Sequence, residues 1–128
     1  MYEITVRTRF AAAHYLKDYD GPCARLHGHT WHIEATFRGN MLDSKGMLLD
    51  FGEVKRKIKA IVDELDHNTL NEVEPFCGSS ENNPTVENLA RYIYYRLKGQ
   101  GDGHDQAAKI SRVRVWESPD TSATYAEV

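Results

Sequence analysis

Two segments within the first forty residues alternate between apolar and polar side chains, which is the period-two pattern of strands with one buried face. Along residues 2–14 the apolar positions share one parity, and because His14 continues that parity we expect its side chain to point inward. A second alternating segment begins near His27 and ends at Gly39. The two segments predict a β-hairpin whose long connection lies at the histidine end.

Two later segments carry apolar residues at helical spacing. Asp50, followed by a glutamate three residues later, has the pattern of a capping box, and the helix that it opens is predicted to run to about His67. Thr85 is a good N-cap for a second helix, which Gly99 ends. Residues 68–84 contain turn-forming residues and are predicted to form an irregular loop.

Two last strands are predicted over about 109–117 and 121–128, after a mobile connector at residues 99–105. The resulting element order is ββααββ. This order is typical of an α+β fold in which an antiparallel four-stranded sheet carries two helices on one face. We expect a single domain over residues 1–128, because neither a linker nor an internal repeat divides the pattern.

The composition excludes several classes of protein. The chain has 128 residues, a formal net charge of −3, 41% apolar and 27% charged residues, which describes a globular domain with no reason to bind nucleic acid or a membrane. No apolar run suits a membrane helix, and the first residues lack a secretion signal. With only Cys23 and Cys77 present, we expect a cytoplasmic protein with free thiols, in which Cys77 has no assigned role.

Three histidines are predicted to converge at the end of the hairpin. His27 and His29 both project from the apolar face of the second strand, and His14 lies on the apolar face of the first. Burying three unpaired imidazoles in a core has a polar cost and no packing advantage. Three histidines that leave a fourth position open are instead the ligand set of a catalytic zinc site, so the pattern predicts Zn²⁺ at these residues.

Cys23 precedes His27 by four residues, and three interpretations of it stay open. It is a fourth ligand of a closed structural zinc site, a catalytic thiolate beside the metal, or a small buried side chain. A polar loop weakens the third interpretation, and a nearby cation would lower the pKa of the thiol and favour the thiolate. The spacing does not separate a ligand from a base.

Two further positions are candidates for proton transfer or for ligand recognition. Asp66 and His67 close the first predicted helix, where the carboxylate could orient the imidazole, although a simple helix end explains them as well. Glu117 ends an apolar strand face. There it could accept two hydrogen bonds from an aminopyrimidinone edge, or it could meet water at a frayed end.

Other polar residues have sufficient local explanations. Thr85 caps the second helix, and Glu87 lies in the first turn, where negative charge is favoured. His32 has the opposite parity to His29, and His104 lies in the predicted connector, so neither is assigned to the zinc site.

These residues together resemble the 6-pyruvoyltetrahydropterin synthase and 6-carboxytetrahydropterin synthase family, whose members adopt the tunnelling fold (T-fold). The resemblance spans essentially the whole chain. It is carried by His14, the segment from Cys23 to His29, Asp50-Phe51, Asp66-His67, Thr85-Val86-Glu87-Asn88 and Trp116-Glu117.

The resemblance implies a role for each matching residue. It implies that the three histidines hold zinc, that Cys23 is a catalytic base beside the metal rather than a ligand, and that Asp66 and His67 assist proton transfer. Glu117 would anchor the pterin ring, with further substrate-binding residues at Thr85 and Glu87.

The resemblance also implies a reaction. Three residues between Cys23 and the His-Gly-His motif resemble the bacterial queuosine-pathway type, which converts 7,8-dihydroneopterin triphosphate to 6-carboxytetrahydropterin with release of acetaldehyde and triphosphate. Formation of 6-pyruvoyltetrahydropterin is the alternative within the family. A related folate-bypass type has glutamate in place of Cys23, so the cysteine argues against that type.

T-fold proteins pair their sheet edges into barrels with sites between subunits, so the resemblance implies a homohexamer built from two trimers. A different class of function is a closed zinc module of one cysteine and three histidines with a structural role. Structural zinc sites usually use more thiolates than the single cysteine near these histidines.

Overall fold

A computed structural model describes residues 1–99 and 108–127 and contains the predicted order of elements. The strands and helices are β1 (Tyr2–His14), β2 (His27–Gly39), α1 (Phe51–Leu65), α2 (Val86–Gly99), β3 (Ala108–Ser118) and β4 (Thr121–Tyr125). The strands form one antiparallel sheet in the order β1-β2-β3-β4. The predicted ββααββ plan is therefore confirmed. Most of the predicted connector, including His104, lies outside the described residues.

Both helices pack on the same face of the sheet, as predicted. The stripe of α1 is buried, and so is the stripe of α2 apart from the partly buried Val86. Beneath them, the sheet contributes Val6, Phe10, Trp31, Ile33, Ala35, Val113 and Val115. Trp31 is fully buried, and its ring N–H donates to the carbonyl of Ala12 at 3.1 Å, so the indole satisfies its one donor within the core.

The predicted helix starts are confirmed by their capping bonds. The Asp50 carboxylate accepts from the backbone N–H of Gly52 at 2.7 Å, and the Thr85 hydroxyl accepts from the N–H of Asn88 at 3.1 Å. Among the described residues, no helix is long and apolar enough to cross a membrane.

Two element ends and one loop differ from the predictions. Helix α1 ends at Leu65 rather than at about His67, because Asp66 is already extended and His67 has a left-handed backbone with φ of 59°. Strand β4 ends at Tyr125 instead of continuing to residue 128. The predicted loop 68–84 contains two short 3₁₀ turns, at Leu70–Glu72 and Ser80–Asn82.

Candidate active site

The three histidines meet where β1 ends and β2 begins. His14 is the cross-strand partner of His27, and His29 follows two residues later on the same side of β2. The ring centroids of the three imidazoles are 4.6 to 5.1 Å apart. One ring nitrogen from each lies within 4.8 Å of the other two, so the group could hold a metal ion, as the strand parity predicted.

Backbone carbonyls orient two of the rings. His14 Nδ1 lies 2.7 Å from the carbonyl oxygen of Pro84, and His27 Nδ1 lies 2.6 Å from that of Arg25. Because a carbonyl oxygen only accepts, each Nδ1 carries the proton and donates it. Each Nε2 is therefore left with a free lone pair, which is the arrangement that a metal-binding histidine needs.

The free nitrogens fit a metal ion and not a packed core. Nε2 of His14 and Nε2 of His29 are buried without a hydrogen-bond partner among the described residues, which is costly unless another group satisfies them. Burial lowers the pKa of His14 to about 4, with smaller contributions from its histidine neighbours, against the raising effect of Pro84. Burial also lowers the pKa of His29. Neutral imidazole is the form that binds metal.

Glu117 lies beside this group. Its Oε2 is 4.0 Å from His14 Nε2 and 3.9 Å from His29 Nε2, and its side chain is 32% exposed. The expected position at the end of an apolar strand face is therefore found, and the carboxylate faces the histidines rather than bulk water alone. One negative charge here offsets part of the positive charge that a bound cation would bring.

Asp66 and His67 form a second polar pair. Asp66 Oδ2 lies 2.9 Å from His67 Nδ1, and its Oδ1 accepts the backbone N–H of Ala11 at 2.9 Å. The N–H of Ala11, followed by the hydrogen bond from His67, holds the pKa of Asp66 below its usual value. The pair is thus more than a helix end, because it is bound to β1 three residues before that strand ends.

An open cleft of about 550 Å³ is lined by one member of each group, His29 and His67. His29 lies on one side of it and His67 on the other, with the backbone of residues 11–13 between them. The imidazole of His67 is 82% exposed, so its free nitrogen is accessible to a molecule in this cleft.

Cys23 lies in the 3₁₀ turn Pro22–Ala24 and is half-buried. Among the described residues, the group of converging ligand atoms consists of the three histidines and does not include its thiol. Its carbonyl accepts the N–H of Leu16 at 2.9 Å, which links this turn to the chain just after His14. The geometry therefore argues against Cys23 as a fourth ligand of this group.

The remaining predicted residues are more peripheral. Thr85 is half-buried and uses its hydroxyl as the cap of α2, while Glu87 is exposed in the first turn. His32 pairs with Arg9 and Trp116 on the opposite face of the sheet from His29, so it is outside the group as predicted. The carbonyl of Pro84 is a part of the site that sequence reasoning missed, since nothing in a sequence marks a main-chain acceptor.

Comparison with known proteins gives concordant results. The family model described as 6-pyruvoyl tetrahydropterin synthase matches residues 3–128. A 6-carboxy-5,6,7,8-tetrahydropterin synthase of Haemophilus influenzae is 32% identical over 146 aligned positions, covering 99% of this chain and 100% of that protein. A dihydroneopterin monophosphate aldolase of Pyrococcus furiosus is 34% identical over 114 positions, covering 89% and 88%. The 6-pyruvoyl tetrahydropterin synthase structure from Caenorhabditis elegans superposes with a TM-score of 0.85 at 25% identity, covering 99% and 96%.

Proposed function

This chain belongs to the 6-pyruvoyl tetrahydropterin synthase family, and on that premise we propose that it is a 6-carboxy-5,6,7,8-tetrahydropterin synthase. The proposed reaction converts 7,8-dihydroneopterin triphosphate and one water molecule to 6-carboxytetrahydropterin, acetaldehyde and triphosphate, and belongs to queuosine biosynthesis. The observation that carries the proposal is the convergence of ring nitrogens from His14, His27 and His29, two of them buried without a hydrogen-bond partner among the described residues.

The metal of the proposed enzyme is Zn²⁺, held by His14, His27 and His29. Three imidazoles and no thiolate are the protein ligands of a catalytic rather than a structural zinc site, which argues against the structural module. When bound, the metal supplies Lewis acidity that lowers the pKa of hydroxyl groups on the substrate side chain.

The protein groups would move the protons. We assign Cys23 as the base that takes a proton from the substrate side chain, and His67 as the group that passes protons to and from it. The hydrogen bond that His67 Nδ1 donates to Asp66 orients the ring, and His67 lines the cleft. The link between Leu16 and Cys23 supports this assignment, because it holds the cysteine turn next to the end of β1.

Glu117 would hold the pterin ring through paired hydrogen bonds to its aminopyrimidinone edge. Its carboxylate is partly exposed and close to the histidines, so a ring held there could direct its side chain toward them. The hydroxyl of Thr85 still has its hydrogen to donate after capping α2, and we include it and Glu87 as further substrate contacts.

The test is product analysis. The purified, zinc-loaded protein is incubated with 7,8-dihydroneopterin triphosphate, and the products are identified by mass spectrometry. We expect 6-carboxytetrahydropterin and acetaldehyde. Formation of 6-pyruvoyltetrahydropterin would assign the sister reaction instead, and a folded, zinc-bound protein without turnover would contradict the proposal.

A second candidate is supported by the dihydroneopterin monophosphate aldolase of Pyrococcus furiosus, which is 34% identical to this chain over 114 positions, against 32% over 146 for the synthase. The same incubation with dihydroneopterin monophosphate separates the two. Turnover of the monophosphate in preference to the triphosphate would favour aldol cleavage.

We further propose a homohexamer, built from two trimers through the sheet edges. Only part of the β1 edge is available for such pairing, because the backbone of residues 66–69 binds Ala11 and Ala13. The mass in sedimentation measures the assembly, and a monomer would contradict it.

A further inference from the structure

Two buried asparagines hold the chain that follows β1. Asn71 is 4% exposed and Asn83 is 9% exposed, so both amides are largely removed from water. Buried amides are costly unless their oxygen and their nitrogen are both paired. Both are paired here, and each of them binds the backbone of a single residue.

The two clamps have the same geometry. Asn71 Oδ1 accepts the N–H of Tyr15 at 3.0 Å, and Asn71 Nδ2 donates to the carbonyl of Tyr15 at 2.9 Å. Asn83 makes the equivalent pair with Lys17, at 2.9 and 3.0 Å. In a sheet, a neighbouring strand would offer one N–H and one C=O to such a residue. Each asparagine side chain therefore makes the pair of hydrogen bonds that one residue of a neighbouring strand would make.

These clamps continue a series of bonds along the free edge of β1. Residues 11, 13, 15 and 17 present backbone groups to the same side of the chain. Each of them makes a hydrogen bond with a residue between 66 and 83. Ala11 binds the backbone and side chain of residues 66–67, and the N–H of Ala13 donates to Asn68 at 3.0 Å. The asparagines extend this pairing past His14, the last residue of β1, where regular strand structure has ended.

The extension reaches the parts of the candidate site that come from distant segments. Asn83 precedes Pro84, whose carbonyl accepts the proton of His14 Nδ1. Asn71 holds Tyr15, the residue after His14. Between the two clamps, the N–H of Leu16 binds the cysteine turn on the other side of the chain. Both clamps therefore act on the position of the buried histidine.

We propose that Asn71 and Asn83 are positioning residues, which fix His14 relative to the other two histidines and so set the metal affinity and the geometry of the site. The inference rests on the proposed function only in taking the histidine group as a metal site. Groups that orient a histidine ligand through its second nitrogen typically contribute about 10- to 100-fold to metal affinity or activity.

The test compares Asn83→Asp with Asn82→Asp. The first change keeps the acceptor for Lys17 N–H but sets an oxygen against the Lys17 carbonyl, while the second adds the same charge at an exposed neighbour. By charge alone both variants would hold a cation more tightly. In a variant that stays folded, weaker binding in Asn83→Asp therefore reflects lost geometry and not the added charge.

The measurements are the dissociation constant for Zn²⁺, by competition with a chromophoric chelator, and the visible absorption of the Co²⁺-loaded protein. We expect Asn83→Asp and Asn71→Asp to weaken Zn²⁺ binding about tenfold or more and to alter the Co²⁺ spectrum, with Asn82→Asp unchanged or tighter. Neither measurement depends on pterin turnover, so failure of the proposed reaction would leave this result intact.

Three results would overturn the inference. One is Zn²⁺ affinity in Asn83→Asp and Asn71→Asp equal to that of Asn82→Asp. Another is an unchanged Co²⁺ spectrum in both clamp variants. The third is loss of the folded state in both by circular dichroism, since the amides would then support the whole fold rather than the histidine site.

Discussion

The carboxylate of Asp66 binds the ring of its neighbour His67 with one oxygen, at 2.9 Å, and the backbone of β1 with the other. The imidazole of His67 is otherwise 82% exposed. Within the part of the chain that the structure describes, the bond to Asp66 is therefore the contact that fixes the orientation of the ring. A mobile, solvated histidine is a poor proton carrier toward a bound molecule, whereas an oriented one can act at a defined atom. The pair therefore links strand β1 to the chemistry that we propose.

Asp66→Asn tests that link. The amide can still accept from Ala11 but no longer carries the charge that favours and orients the His67 ring, so we expect kcat to fall at least about 100-fold. Zn²⁺ content should stay that of the wild type. Asp63→Asn, an exposed change in the last turn of α1 at a residue whose partner is Lys59, is the matched control. An equal kcat in Asp66→Asn and Asp63→Asn would show that the bond between Asp66 and His67 has no role in catalysis.

Stability in acid follows from the same carboxylate. Its pKa is lowered by the N–H of Ala11 first and by His67 second, so ionised Asp66 stabilises the fold at any pH above the usual value of 3.8. That stabilisation is lost as the pH falls through the lower pKa of the folded protein. We expect the melting temperature of wild type to exceed that of Asp66→Asn near neutral pH, and the gap to close in acid. A gap independent of pH would contradict this account.

The left-handed backbone of His67 predicts a gain of stability on mutation to glycine. A φ of 59° costs an L-residue about 1–2 kcal/mol, and glycine, which avoids this cost, loses about 0.5–1 kcal/mol through its freer unfolded chain. We expect His67→Gly to raise the melting temperature by ~2 °C while turnover is lost. Asp18→Gly, at a φ of 56° in a loop, is the control that should keep turnover. If His67→Gly is less stable than wild type, the stabilisation lost with the His67 side chain is larger than the backbone strain that glycine relieves.

The sequence predicted the elements and the metal group because both depend on local periodicity. Strand parity alone put His14 and His29 on the buried face, and one capping residue opened each helix. The end of α1 was predicted two residues too late, because Asp66 leaves the helix to bind Ala11, fifty-five positions earlier. The carbonyl of Pro84 was missed for the same reason, since a long-range contact to the main chain leaves no pattern in the residues around it.

Single histidine-to-alanine variants distinguish the proposed metal ligands from His32, which lies on the same strand but is not assigned to the metal site. His29→Ala deletes a buried, unpaired ring nitrogen, so we expect Zn²⁺ to be lost, whereas His32→Ala on the opposite sheet face should retain it. Free Zn²⁺ at 100 times its dissociation constant stabilises the folded protein by about 2.7 kcal/mol. Added Zn²⁺ should therefore raise the melting temperature of wild type and His32→Ala but not of His29→Ala. A wild-type melting temperature that does not change when Zn²⁺ is added would contradict the proposed zinc site.

Cys23→Ala distinguishes a base from a ligand. The thiol lies outside the group of converging histidine nitrogens, so we expect the variant to keep its Zn²⁺. Loss of the proposed base should lower kcat by about 100-fold or more, with little change in the melting temperature of this half-buried turn. Cys77→Ala is the matched control, because its thiol is exposed and contacts Glu74.

The two measurements on Cys23→Ala, metal content and kcat, have distinct meanings. Zn²⁺ lost together with turnover would make the thiol a ligand and would favour a closed structural site. Zn²⁺ retained with turnover equal to that of Cys77→Ala would remove the cysteine from the chemistry and leave His67 as the proton carrier. Only retained metal with lost turnover agrees with a thiolate that acts beside the histidines, because a base must be close to the reacting atoms without occupying the metal.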